Sequence, residues 1–193
     1  MSLFELRFYS ILPSKFPSYL SSTTRMFHIR QRYSKLCGFW ISEIGGVNEV
    51  FHIWQYDSLS HRKEARRKLM MDTEWAVYLD EIRPTLDRQF NVMTQSPNYT
   101  EVLPALLPSE KQRYFDLIEV NRKTQGGAAF APPFDRDAAY MHFHTIIGPS
   151  STWELRCSPS LDAFGSLVPQ QENVSHRLLY PAPFSEQLQL PLR

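Results

Sequence analysis

Glycine and cysteine are scarce in this chain, with seven and two residues respectively among 193. Two cysteines cannot staple a fold of this size. Cys37 and Cys157 both fall in strand-like segments and show no Cys-x-x-Cys spacing. They read as buried free thiols in a reducing compartment, with a disulfide or redox pair as the alternative. The few glycines build no Gly-x-Gly-x-x-Gly, and Gly126-Gly127 leads to no Lys-Ser/Thr ending, so a phosphate-cradling loop is not expected. No Gly-x-Ser-x-Gly elbow presents a nucleophile. An excess of one charge is also missing. Lys and Arg number 21 against 20 Asp and Glu, so the whole molecule has no strong field for nucleic acid or anionic lipid. No apolar run approaches the length of a membrane span. The first residues offer neither a signal-type apolar region nor an Arg-rich presequence, so any targeting segment is expected to have been removed or never to have existed.

What the chain does have is strand and helix periodicity, with proline as punctuation. Leu3 to Ile11 alternates as a strand. Pro13 and Pro17 bracket a helix start, and Phe16, Leu20, Thr23 and Phe27 form a stripe along a helix expected to reach about Tyr33. Cys37–Ile44 and Asn48–Tyr56 read as two aromatic strands joined by Gly45-Gly46, whose φ > 0 positions suit a tight turn. Asp57 or Ser58 can cap a helix through Met71. A second helix is expected from Glu74 to about Leu86, with Pro84 near its end, then a short strand from Gln89 to Met93. The order is β-α-β-β-α-β, a ferredoxin-like unit.

Three prolines precede Ser96 and eleven follow it. Residues 96–113 therefore read as a linker. Beyond it, Phe115-Asp116-Leu117 echoes Phe4-Glu5-Leu6. Tyr140–Ile147, Gly148–Ser151 and Thr152–Cys157 echo the first hairpin, and Leu178-Leu179-Tyr180 supplies a last strand. The expected fold is α+β. Tandem ferredoxin-like units, 1–95 and a degenerate 114–193, would bury their sheets against each other in a dimeric α/β barrel-type architecture. Gly126-Gly127, Pro132-Pro133 and Pro169 leave little room for long helices in the second unit.

Several runs of residues resemble the NIPSNAP family. They are His28-Ile29-Arg30, Tyr33-Ser34-Lys35-Leu36, Gly38-Phe39-Trp40, Gly45-Gly46, Val50 through Asp57, His61-Arg62 and Glu74-Trp75, together with the opening Phe4-Glu5-Leu6-Arg7 and Pro13-Ser14-Lys15. The match is dense over about residues 3–95 and thins to scattered points beyond. The resemblance implies the paired ferredoxin-like fold and a non-enzymatic adaptor or interaction role in vesicle traffic and mitochondrial quality control. It also implies a mitochondrial location, with the cytosol as the alternative. It brings no active site and no cofactor.

Strand alternation separates two faces. Phe4, Leu6 and Phe8 share one face with Phe51 and Ile53. Glu5, Arg7, Tyr9, His52, Trp54 and Tyr56 form the other. The apolar face is expected under the helices, which turns the mixed face toward the space between the sheets. There it would be either a satisfied polar layer or a lumen for a small planar ligand, the haem-type enzymes on this fold being the analogy. His142 and His144 share a strand face, but no third and fourth ligand is evident, so no metal is expected.

Arg62, Lys63, Arg66 and Arg67 form a basic stripe at i, i+4 spacing. It is either a solvated helix face or a docking surface for an acidic segment or anionic lipid. Nucleic acid is not an expected partner. Protein partners are, while peripheral membrane contact and self-association stay open.

Overall fold

The computed structural model describes residues 2–96, 114–121, 140–158 and 174–182. Its first part runs β1 (Leu3–Ile11), a 3-10 turn (Pro13–Lys15), α1 (Phe16–Met26), a short α2 (His28–Gln31), β2 (Lys35–Ile44) and β3 (Glu49–Tyr56). It continues with α3 (Leu59–Met70), α4 (Thr73–Ile82), a second 3-10 turn (Arg83–Thr85) and β4 (Leu86–Gln95). Four more strands follow: β5 (Tyr114–Asn121), β6 (Tyr140–Ile147), β7 (Ser151–Ser158) and β8 (Val174–Pro181). The linker from Pro97 onward, Gly126-Gly127, Pro132-Pro133 and the helical candidate near 161–175 lie outside the described residues.

Local chemistry sets the element ends. Pro17 sits in the first turn of α1, where a missing N–H costs nothing. Ser58 caps α3 by accepting the His61 N–H at 3.0 Å. Asp72 caps α4 by accepting from Glu74 and Trp75 N–H at 2.9 and 3.2 Å. Three expectations need correction. The helix expected to reach Tyr33 is broken after Met26, with Phe27 at the break, its ring edge-on to Phe39. In the hairpin only Gly45 (φ +90°) and Asn48 (φ +59°) are left-handed. Gly46 is not, because Asn tolerates that region and the connection spans four residues rather than two. The last strand of the first unit begins at Leu86 and runs to Gln95, longer than Gln89–Met93.

The eight strands close into a barrel in the order β1-β3-β2-β8-β5-β7-β6-β4, every described pair antiparallel. β4-β1-β3-β2 and β8-β5-β7-β6 repeat one strand order. Two seams join them. Trp40 to Ile44 of β2 pair with Leu178 to Pro181 of β8, and Met93 to Gln95 of β4 pair with His144 to Ile147 of β6. Closure leaves no sheet edge open for pairing.

The faces are inverted relative to expectation. Phe4, Leu6, Phe8, Trp40, Phe51 and Ile53 point inward and meet Phe115, Leu117, Phe143, Trp153 and Leu155 from the far strands in one apolar cluster. Phe4–Phe143, Phe8–Trp153 and Trp40–Phe115 ring pairs, with centroids 5.7, 4.8 and 5.4 Å apart, bridge the barrel. Gly38 makes room for this packing, since a Cβ there would meet the Trp40 ring at 2.1 Å. Cys37 and Cys157 are free thiols in the same cluster, and burial pushes the Cys157 thiol up to about 12. The mixed face lies outside the barrel, where Tyr19, Phe27, Leu69, Trp75 and Tyr78 of the helical layer cover it.

The inversion has a simple cause. An eight-stranded barrel is just wide enough for side chains and offers no backbone donor or acceptor to its interior. A purely apolar face can fill that space without penalty. A face carrying Glu5 and Arg7 must sit where other side chains reach it.

Candidate functional site

β1 delivers Glu5, Arg7 and Tyr9 to the outer face, and the antiparallel register sets Glu5 opposite Trp54 and Arg7 opposite His52 on β3. On the other side of β1, Arg7 lies opposite Asn91 of β4. α2 brings Arg30 and α3 brings Arg62 over the same spot. Glu5 is fully buried and accepts from five groups. Its Oε1 accepts from Arg7 Nη1 (2.8 Å), Arg62 Nη2 (2.6 Å) and Asn91 Nδ2 (2.5 Å). Its Oε2 accepts from Tyr56 Oη (3.2 Å) and Arg30 Nη2 (3.3 Å). Burial alone pushes the Glu5 carboxyl up, but the charges of Arg7 and Arg30, with the hydrogen bond and charge of Arg62, outweigh it and hold it well below the usual range.

The surrounding groups are fixed in turn. Arg7 also donates to Tyr9 Oη from Nε (3.1 Å) and Nη2 (2.7 Å). The Arg30 guanidinium lies 3.9 Å from the centroid of the Trp54 ring, a buried cation–π contact. Trp54 Nε1 donates to His52 Nδ1 at 2.6 Å, and His52 stacks on Phe39 at 5.0 Å. Burial first, then the charges of Arg30 and Arg7, push the His52 pKa well down, so the ring is neutral at pH 7. All six residues expected around a lumen are thus brought together, but behind the barrel wall. The lumen itself, where a haem-type ligand was the alternative, is occupied by the apolar cluster.

The basic stripe divides. Arg62 and Arg66 turn inward toward Glu5 and are half-buried, whereas Lys63 and Arg67 are exposed. Arg67 pairs with Glu64 at 2.7 Å. Sequence reasoning missed Arg30 and Asn91, and placed Arg62 on the surface. The one usable signal was Glu5 itself, since a carboxylate on a covered strand face requires cations from elsewhere.

The second half has its own outward polar cluster. Asp116, which stands where Glu5 stands in the echoed motif, lies 3.3 Å from His176 Nδ1. Glu154 accepts from Arg156 Nη2 at 3.1 Å and lies 3.2 Å from His142 Nδ1. His144 is exposed. No group of three or more His, Cys, Asp or Glu side chains among the described residues is placed to hold a metal ion. No helix among them is long and apolar enough to cross a membrane.

Comparison with known proteins agrees with these features. The family model described as NIPSNAP matches residues 4–97. Human protein NipSnap homolog 3B is 33% identical over 138 residues, covering 70% of this chain and 54% of that protein. The chain spans about half the length of the curated relatives it matches. A crystal structure titled as a NIPSNAP family protein with unknown function, from Agrobacterium tumefaciens, is 33% identical over 48% of this chain and 85% of its own, with a TM-score of 0.46. At 10% identity, a putative monooxygenase from Lactobacillus acidophilus covers 92% of both chains with a TM-score of 0.56, a likeness of fold alone. With the family model matched over residues 4–97 and curated NipSnap relatives at 33% identity, the chain belongs to the NIPSNAP family.

Proposed function

We propose that this chain is a non-enzymatic interaction module of the NIPSNAP type, built from two βαββαβ units in tandem and serving as an adaptor in mitochondrial and vesicle-associated assemblies. The observation that carries this reading is the filled barrel. A ligand site inside the barrel would need an open interior, and here the two sets of strands close on each other through aromatic side chains. The repeated strand order supports the tandem, with boundaries near 1–95 and 114–193. The mitochondrial location rests on the family alone.

The partner surface we assign is the exposed face of α3 and its C-terminal end. Lys63, Arg67 and Lys68 are exposed there, next to Met70 and Met71, which are 57% and 72% exposed. Exposed methionines beside a basic edge suit an acidic segment carrying apolar side chains. The test is affinity capture from a mitochondrial fraction, comparing the intact chain with Lys63→Glu/Arg67→Glu/Lys68→Glu. The reading expects a defined partner set that the triple variant loses at low salt, with the fold unchanged. An unchanged partner set would refute the surface. Turnover of a small planar substrate that Phe143 substitutions abolish would refute the non-enzymatic reading.

A further inference from the structure

Around Glu5 the charges do not balance. Arg7, Arg30 and Arg62 all donate to one carboxylate. Arg66, one helical turn after Arg62, faces the same cluster. Burial and the positive charges of Arg7 and Arg30 push its guanidinium pKa down, while Glu5 acts in the opposite sense. Among the described residues Arg66 makes no hydrogen bond and no ion pair. Arg30 Nε and Arg62 Nε are also buried without a hydrogen-bond partner. The neighbouring His52 is neutral. Among the described residues four guanidinium groups therefore share a single negative charge, although the fold elsewhere spends its carboxylates freely on exposed pairs such as Glu64–Arg67 and Glu81–Arg25. Half-buried like charges without a counter-ion oppose folding.

The cluster is not sealed. The Arg62 side chain is 27% exposed, Arg66 is half-buried, and Asn91 on β4 is exposed. Asn91 lies opposite Arg7 in the strand register, and Arg62 and Asn91 meet at Glu5 Oε1. Arg66 offers a whole guanidinium and Arg62, one turn before it, the N–H donors that Glu5 does not take, while Arg7 and Asn91 donate to Glu5 behind them; an oxyanion with several acceptors suits such donors. A dianion would nearly neutralise the excess.

We propose that Arg66 and Arg62, with Arg7 and Asn91, form a binding site for a phosphate-class oxyanion on the outer face of the barrel wall. Glu5 is the fixed counter-charge that holds the guanidinium groups in place for it, and Arg66 is the residue left available to the ligand. The site lies apart from both the lumen and the exposed basic edge of α3.

The test is calorimetric titration of the intact chain with inorganic phosphate at pH 7.5, against sodium chloride at matched ionic strength. Saturable binding of one phosphate per chain is expected. Arg66→Gln should weaken it about tenfold or more, as loss of one charge-assisted fork does. Arg66→Lys should weaken it less, because it keeps the charge and loses the fork. Arg67→Gln, one residue on and facing solvent, should leave affinity unchanged within about twofold. Without phosphate, Arg66→Gln should unfold at the same temperature or higher, since it removes a like charge. A purely structural Arg66 would lower that midpoint.

Co-sedimentation with phosphatidic-acid vesicles separates the sources of the phosphate group. Sedimentation that depends on Arg66 assigns a lipid headgroup, and its absence assigns a dissolved ligand. No saturable phosphate binding, or equal weakening by Arg66→Gln and Arg67→Gln, would overturn the proposal.

Discussion

His52 shows how a single side chain can carry a pH dependence without any catalytic role. Its Nδ1 accepts the Trp54 indole N–H, and its ring is enclosed by Phe27, Phe39 and Tyr9. The folded ring resists protonation, while an unfolded histidine protonates near its ordinary 6.5. Below that pH the unfolded chain binds the extra proton. Stability that is fully present above about pH 6.5 is therefore lost as pH falls, at up to about 1.4 kcal/mol per pH unit for one proton. Urea denaturation at several pH values between neutral and mildly acid should show this loss in the native sequence. His52→Phe should show a shallower slope. Equal slopes would mean that water reaches the ring. Trp54 is the companion case. It is fully buried, supports the Arg30 guanidinium and donates to His52. Trp54→Ala should cost about 3–5 kcal/mol in chemical denaturation. A loss under about 1 kcal/mol would mean that the cavity collapses and that neither contact contributes.

At the scale of elements, α3 is the instructive case. Four of its basic positions look alike in sequence, yet the helix turns Arg62 and Arg66 toward a buried carboxylate and Lys63 and Arg67 toward water. Substitutions along it should divide the same way. Arg62→Glu sets a second carboxylate against Glu5 and should cost about 2 kcal/mol or more, as breaking a partly buried pair does. Arg67→Glu should leave the unfolding midpoint in place. Thermal denaturation of the two variants side by side checks the division, and similar midpoints would contradict it. The strands themselves were legible: β1 and the aromatic hairpin follow from alternation, and Ser58 and Asp72 announce their helices as caps. Which face of β1 meets the helices was not legible. Alternation separates Phe4, Leu6 and Phe8 from Glu5, Arg7 and Tyr9 but does not say which set faces the barrel. That choice depends on partners far along the chain: Arg30 lies 25 residues from Glu5, Arg62 57 and Asn91 86. No local pattern marks them.

At the scale of the whole molecule, two sets of four strands in the same order complete one another. Each apolar face is exposed alone and buried only when the other is present. Phe8 touches Trp153, Phe4 touches Phe143 and Trp40 touches Phe115, so the interior belongs to neither half. In this chain both sets are joined in a single polypeptide. This architecture requires the barrel to be a packed core and not a ligand chamber. Trp153 is the side chain to remove, because it is fully buried, comes from β7 and packs on Phe8 of β1. Urea denaturation of Trp153→Ala tests the claim most directly. A single cooperative transition with a loss of about 3–5 kcal/mol is the predicted result. A loss under about 1 kcal/mol, or separate transitions for the two halves, would contradict it.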